Sequence, residues 1–236
     1  MFTISDSEFA RFQRLIYESA GITLGATKRA LVCGRLAKRL QACQLRSYGE
    51  YLELLMSGES PAELQTAVDL LTTNETYFFR EPKHFQFLRE QVRARGASAM
   101  PYRVWSAAGS TGEEAYSIAM VLDDCLPDAP WDVLGTDIST RVLARAQTGH
   151  YALNRLSNFP PGYLQRYCLK GTGAQEGTML VERKLRSRVR FMQLNLDARL
   201  PRLGAFDVVF LRNVLIYFNL ATKRGVVARI LETLKP

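Results

Sequence analysis

From about residue 100 onward, short β-rich runs alternate with helix-length stretches, and this alternation leaves few folds open. Residues 103–107, 131–136, 189–194 and 206–211 are rich in Val, Leu, Phe and Trp and read as buried strands. Residues 113–122, 139–146 and 220–234 carry helical periodicity, the middle stretch capped by Ser139. Strands separated by helices cannot close as hairpins. They pair in parallel with helices laid over the sheet, which is an α/β layer fold.

The segment 151–187 breaks this rhythm. Pro160-Pro161-Gly162, then Gly171-Thr172-Gly173, then the run Thr178-Met179-Leu180-Val181 read as turn, loop and hairpin chemistry. A small β-subdomain, about 155–187, is therefore expected as an insertion.

Residues 1–70 read as a separate helical domain. Ser5-x-x-Glu8 is a capping box, followed by Phe9, Phe12, Leu15 and Ile16 at helical spacing. Further helices are expected over 27–44, 48–56 and from Ser60-Pro61, where proline suits a first helical turn. On the second helix Val32, Cys33, Leu36, Ala37, Leu40 and Cys43 share one side, and Lys28, Arg35, Lys38 and Arg39 cluster on another. Such a face is either solvated or a dock for an acidic partner, and charge alone favours the solvated reading. Residues 71–90 read as a linker helix with an aromatic stripe.

The net charge of +8 favours an acidic partner without choosing one. Cys33, Cys43, Cys125 and Cys168 form no C-x-x-C pair, and only His84 and His150 are present, so neither a zinc nor a dithiol site is suggested and no metal is expected. Scattered free cysteines fit a reducing compartment. The N-terminus does not resemble a signal peptide and no apolar run reaches membrane-spanning length. A cytoplasmic protein without membrane insertion is expected.

Five stretches could carry chemistry, one of them Leu71 to Glu81, where polar Asn74, Thr76 and Arg80 flank Tyr77, Phe78 and Phe79 and which by itself reads equally as a linker helix with an apolar stripe. Val104 to Glu114 is a strand, a small-residue loop and a helix start, but not G-x-G-x-x-G, because Ala107 stands at its first glycine. The pair Glu113-Glu114 would repel a phosphate. It suits a cationic ligand, or merely the helix dipole. Asp137, ending the second strand, is placed for ribose hydroxyls or for a simple cap. Asn195-Leu196-Asp197 follows a strand and reads as a turn, with an adenine contact as the alternative. The fourth strand runs into Arg212-Asn213 and then Tyr217, which is either a site residue or core.

Together these stretches resemble the CheR-type chemotaxis protein methyltransferases. The resemblance rests on Thr73-Asn-Glu-Thr-Tyr-Phe-Phe-Arg80, Arg103 to Glu114, Gly135-Thr-Asp-Ile138, Arg212-Asn-Val-Leu-Ile-Tyr217, and Tyr163 to Gly173 in the insertion, and it spans nearly the whole chain. It implies a helical N-terminal domain plus a Rossmann-like methyltransferase domain over 91–236. Asn74, Thr76, Arg80, Glu114, Asp137, Asn195, Leu196, Arg212 and Asn213 would bind S-adenosyl-L-methionine, with S-adenosyl-L-homocysteine as product. Arg80 and Tyr217 would lie nearest the transferred methyl. The acceptor would be a glutamate carboxylate on the cytoplasmic methylation helices of a chemoreceptor. The resemblance turns the basic second helix into a docking face, with Arg35, Lys38 and Arg39 as contacts, and gives the β-subdomain a receptor tether peptide. Members usually continue past 236 with a strand pair, so the sheet is expected to lack its C-terminal strands.

Two other readings compete. A nucleic-acid methyltransferase would suit the charge, but Arg212-Asn-Val-Leu occupies the place of the Asp/Asn-Pro-Pro-aromatic motif of base amino-methylation, and no nucleic-acid partner is expected. A non-catalytic receptor-binding module that keeps cofactor affinity is the other.

Overall fold

A computed structural model describes residues 3–96, 98–156 and 158–236. Its N-terminal part is helical: α1 (Asp6–Ala20), α2 (Arg29–Ala42), α3 (Tyr48–Met56) and α4 (Pro61–Leu71). The expected capping box is present, with Glu8 N–H donating to Ser5 Oγ and Ser5 N–H to Glu8 Oε2 at 2.8 Å. Phe12, Ile16, Val32, Leu36, Leu40, Tyr51 and Leu52 lose nearly all their exposure in one core, as the helical spacing of these residues requires.

The linker is not a continuous helix. Residues 72–81 are irregular, and α5 (Pro82–Arg95) starts only after Glu81, whose φ is 58°. Proline at the first helical position disfavours a helical residue before it, which is why the helix predicted over 71–90 divides here. The aromatic stripe is real but serves as an anchor. Phe78 and Phe79 are buried, Phe78 against the Tyr151 ring at 4.9 Å and Phe79 against Phe85 at 5.2 Å, and Phe79 N–H donates to Ser117 Oγ at 3.0 Å.

The α/β part follows as β1 (Tyr102–Ala107), α6 (Glu113–Cys125), β2 (Trp131–Asp137), α7 (Thr140–Thr148), β3 (His150–Ala152), α8 (Tyr163–Tyr167), β4 (Cys168–Lys170), β5 (Thr178–Val181), α9 (Arg183–Arg186), β6 (Val189–Gln193), β7 (Val208–Leu211) and α10 (Leu220–Leu231). The main sheet has the order β6-β2-β1-β7 and all its pairs are parallel. Alternation sorts the side chains. Val104, Val133 and Phe210 face the α5–α6 layer, whereas Trp105, Leu134 and Phe206 pack with Val226 and Ile230 of α10.

Two boundaries differ from the sequence reading. The inserted antiparallel sheet, β3-β5-β4, begins at His150 and not near 155, because β3 directly follows Gly149 at the end of α7. The last sheet strand starts at Val208; Phe206 instead forms a single parallel bridge with Leu234 beyond α10.

Candidate active site

In this strand order the chain reverses direction across the sheet between β1 and β7, and ligands of open α/β sheets bind beyond the strand ends at such a point. A cavity of about 300 Å³ lies there. All four parallel strands contribute to it through the residues that follow them: Ala108–Ser110 after β1, Asp137 and Ile138 at the end of β2, Leu194–Leu196 after β6, and Arg212–Val214 after β7. The linker supplies Asn74, Thr76 and Arg80, and the helical domain closes the wall with Ile22, Leu24, Lys28 and Leu31.

The β1–α6 loop is held tightly. Ala108 and Ser110 have φ of 64° and 53°, and Gly112 has φ of 93°. A Cβ on Gly112 would come within 2.8 Å of the Ala146 Cβ, and one on Gly109 within 2.7 Å of Ser106 Oγ, so the loop needs glycine at both places. Ser106 Oγ donates to Glu114 Oε1 at 2.7 Å, and Arg212 Nη1 donates to Glu114 Oε2 at 3.1 Å. Burial pushes the Glu114 carboxyl up to about 6, against the opposing pull of Arg212 and Ser106. Its neighbour Glu113 points away from the cavity and bonds the Thr111 hydroxyl at 2.6 Å. The acidic pair is therefore divided between a site role and a structural one.

Arg212 is only 9% exposed and lies at the centre of a cluster of partners. Besides Glu114, it donates to the Arg80 carbonyl, pairs with Glu81 at 3.3 Å, and lies over the Phe85 and Phe210 rings. Asn213, with φ of 55°, donates from Nδ2 to Glu81 Oε1 at 3.2 Å. Glu81, Ser106 and Ser110 were not singled out from the sequence. The signal for Glu81 was local: a carboxylate between Arg80 and Pro82 must sit at a helix entrance.

Asp137 accepts backbone N–H groups of Ser110 and Ser139, each at 2.9 Å, and burial raises its pKa despite them. Both oxygens keep lone pairs for a ligand. Asn195 lies beside the cavity, but its amide is used within the protein: Nδ2 donates to Ser19 O at 3.0 Å and Oδ1 accepts from Asp197 N–H at 2.9 Å. Asp197 pairs with Arg229 at 3.3 Å. The turn reading of this stretch thus holds, and Asn195 and Leu196 also line the cavity. Arg80 Nη1 donates to Glu75 O at 2.9 Å. Tyr217 lines the cavity, its carbonyl accepting from Thr23 N–H at 2.8 Å, while its hydroxyl makes no hydrogen bond among the described residues.

The basic face of α2 needs correction. Arg35 Nη1 donates to the carbonyls of Leu70, Leu71 and Thr72 at 3.1, 3.1 and 2.8 Å, capping α4. Arg39 grips Glu63 with two bonds of 2.9 and 2.6 Å. Of the three expected contacts Lys38 alone is exposed with no partner among the described residues, because α4 packs against α2 and engages the other two side chains.

Residues 7–72 match the model of the CheR methyltransferase all-alpha domain, and residues 74–236 that of the CheR methyltransferase SAM binding domain. The chain belongs to the CheR methyltransferase family. It is 46% identical over 236 residues to a chemotaxis protein methyltransferase of Escherichia coli (strain K12), covering 99% of this chain and 82% of that protein. Identity to chemotaxis protein methyltransferase 2 of Pseudomonas aeruginosa is 40% over 238 residues, covering 100% and 84%. Among solved structures, a glycopeptide N-methyltransferase complexed with S-adenosyl-L-methionine aligns over 63% of this chain and 49% of that chain, at 20% identity and a TM-score of 0.37, too distant to bear on the site. This CheR-family chain is thus an S-adenosylmethionine-dependent methyltransferase.

The residues present fit that cofactor. Apolar Leu194 and Leu196 follow β6, acidic Asp137 ends β2, Glu114 opens α6 after the β1 loop, and its partner Arg212 follows β7, in the sheet order β6, β2, β1, β7. With strands about 4.8 Å apart, they spread over roughly 14 Å. A molecule built as adenine, ribose and a cationic amino acid has this same order. Because Glu114 is charged only above about pH 6, affinity for the cationic cofactor should fall as pH drops through that value. Affinity for S-adenosyl-L-homocysteine, whose sulfur is uncharged, should fall less. Calorimetric titration of both at about pH 5 and about pH 8, in wild type and Glu114→Gln, measures the difference; an equal loss in Glu114→Gln would remove Glu114 as the cause.

Proposed function

We propose that this chain transfers a methyl group from S-adenosyl-L-methionine to glutamate side-chain carboxylates of a chemoreceptor, yielding methyl esters and S-adenosyl-L-homocysteine. The observation that carries the reading is the make-up of the cavity wall: among the described residues its acids are the buried Glu114 and Asp137 and the exposed Glu75. No histidine lines it, and the acids buried in it, Glu114 and Asp137, are tied by hydrogen bonds. A carboxylate acceptor needs no general base, since it is ionised at neutral pH. The names of the curated relatives, chemotaxis protein methyltransferases, support the sensory setting.

When bound, the cofactor supplies an electrophilic methyl carbon on a positively charged sulfur. The protein's own part is alignment and exclusion of water. Leu194 and Leu196 receive the adenine, Asp137 accepts from the ribose hydroxyls, and Glu114, held by Ser106 and Arg212, faces the positive end. Asn74 and Thr76 close the linker side, and Arg212 and Asn213 the side after β7. Arg80 and the Tyr217 hydroxyl orient the acceptor carboxylate. The expected receptor contact of α2 narrows to Lys38 with the remaining donors of Arg35, and the β-subdomain offers a site for a receptor tether peptide. Among the described residues no helix is long and apolar enough to cross a membrane.

The test is methyl transfer from labelled S-adenosyl-L-methionine to a helical receptor fragment rich in glutamate. Label released by mild base as volatile methanol is the expected result. Cofactor binding without transfer, or base-stable label, would overturn it.

A further inference from the structure

The loop that leaves β2 is gripped from the helical domain. Asp69 on α4 is 6% exposed, and its carboxylate crosses to the start of α7. Oδ1 accepts from Thr140 N–H at 3.0 Å and from Gln65 Nε2 at 2.7 Å. Oδ2 accepts from the Thr140 hydroxyl at 2.7 Å and Arg141 N–H at 3.1 Å. The Asp69 carbonyl accepts from Arg141 Nη2 at 3.1 Å. Gln65 Nε2 also reaches Ile138 O at 3.1 Å, and Gln193 Nε2 bonds both Gln65 Oε1 at 2.7 Å and Ile138 O at 3.1 Å.

Helix initiation alone does not account for this. Ser139 already caps α7 with its own side chain, accepting from Val142 N–H. A buried carboxylate added to a capped helix carries a desolvation cost, and what it adds is a fixed position of the loop against α4. Three residues beyond α4 the chain reaches Asn74, whose carbonyl accepts from the Ser110 hydroxyl at 3.0 Å, and Ser110 N–H holds Asp137. Both banks of the groove at Asp137 are thus referred to the same helix.

We infer that Asp69, assisted by Gln65, is a positioning residue of the cofactor site, through which the helical domain sets the pose of Asp137 and Ile138. The inference rests on the assignment of Asp137 to the cofactor. It makes the N-terminal domain a part of cofactor binding as well as of any docking surface.

Calorimetric titration of S-adenosyl-L-homocysteine into the full chain, with steady-state methyl transfer, tests this. Asp69→Ala should weaken affinity about tenfold and raise the cofactor KM to match, leaving kcat at saturating cofactor within about twofold. Asp69→Asn, which keeps one acceptor oxygen, should recover part of the loss, and Gln65→Ala should show a smaller loss in the same direction. Should Asp69→Ala fail to fold, Asp69→Asn and Gln65→Ala carry the same expectation. Affinity within twofold of wild type in these variants, or a fall in kcat with KM unchanged, would overturn the inference even where melting temperature drops. Asp137→Asn separates the two levels: if it leaves affinity intact, the ribose assignment itself fails, and if it weakens binding while the Asp69 variants do not, only the positioning role fails.

Discussion

Replacing Arg212 with methionine should be the most damaging single change around the cavity, lowering stability by about 3–5 kcal/mol and the melting temperature by on the order of 10 °C for a chain of this size. The reason is what it leaves behind. Glu114 Oε2 and the Arg80 carbonyl lose their donor at once, and Glu81 loses a charge partner. Glu114 is already raised to about 6 with Arg212 beside it. Without the guanidinium its carboxyl rises further and takes up a proton near neutral pH, so affinity for the cationic cofactor falls with the stability. Arg212→Lys should rescue little, since an ammonium has one centre where the planar fork serves several acceptors. Thermal melts with and without S-adenosyl-L-homocysteine read both effects; a melting point within about 2 °C of wild type would show that the ion cluster does not hold this strand end.

The second large effect is expected at Tyr217, on rate alone. Tyr217→Phe should slow single-turnover methyl transfer by about 10²-fold with S-adenosyl-L-homocysteine affinity unchanged. The ring keeps its place because the segment is held by main chain: Thr23 N–H donates to the Tyr217 carbonyl, and Ile22 and Phe218 form an antiparallel bridge. Only the hydroxyl, which lies in the field of the Arg35 guanidinium, is lost. Equal rates in the two proteins would remove Tyr217 from the mechanism.

The layered fold was legible because period and punctuation agreed. The 2-residue alternation of Val104/Trp105 and Val133/Leu134, and caps such as Ser5, Ser139 and Pro61, are local signals, and local signals survive in a single sequence. What was hidden is what depends on distant partners. Nothing near Asp69 announces that it reaches Thr140, 71 residues on. Nothing in α2 says that Arg35 and Arg39 are consumed by α4; a helical wheel registers the charge but not the neighbour. Most of the cavity-lining residues stand in short motifs at strand ends, yet the split between Glu114, which lines the cavity, and Glu113, which does not, came only with the geometry. The predicted linker helix failed because an aromatic stripe has the same spacing whether it packs as a helix or anchors an irregular chain.

Six non-glycine residues among those described have a positive φ; Ala108, Ser110 and Asn213 line the cavity of the candidate site, and Phe79 and Glu81 flank its lining residue Arg80. Each left-handed residue with a side chain costs about 1–2 kcal/mol, so their sum rivals the net stability of a whole domain. Anyone engineering this enzyme for heat resistance would find glycine substitution most rewarding at Ala108, which has no side-chain bond to lose, and the gain would slacken a wall of the groove. Durability and turnover are therefore opposed at a handful of backbone angles, and thermostabilising searches on this scaffold do better to work in the α1–α3 bundle, away from them.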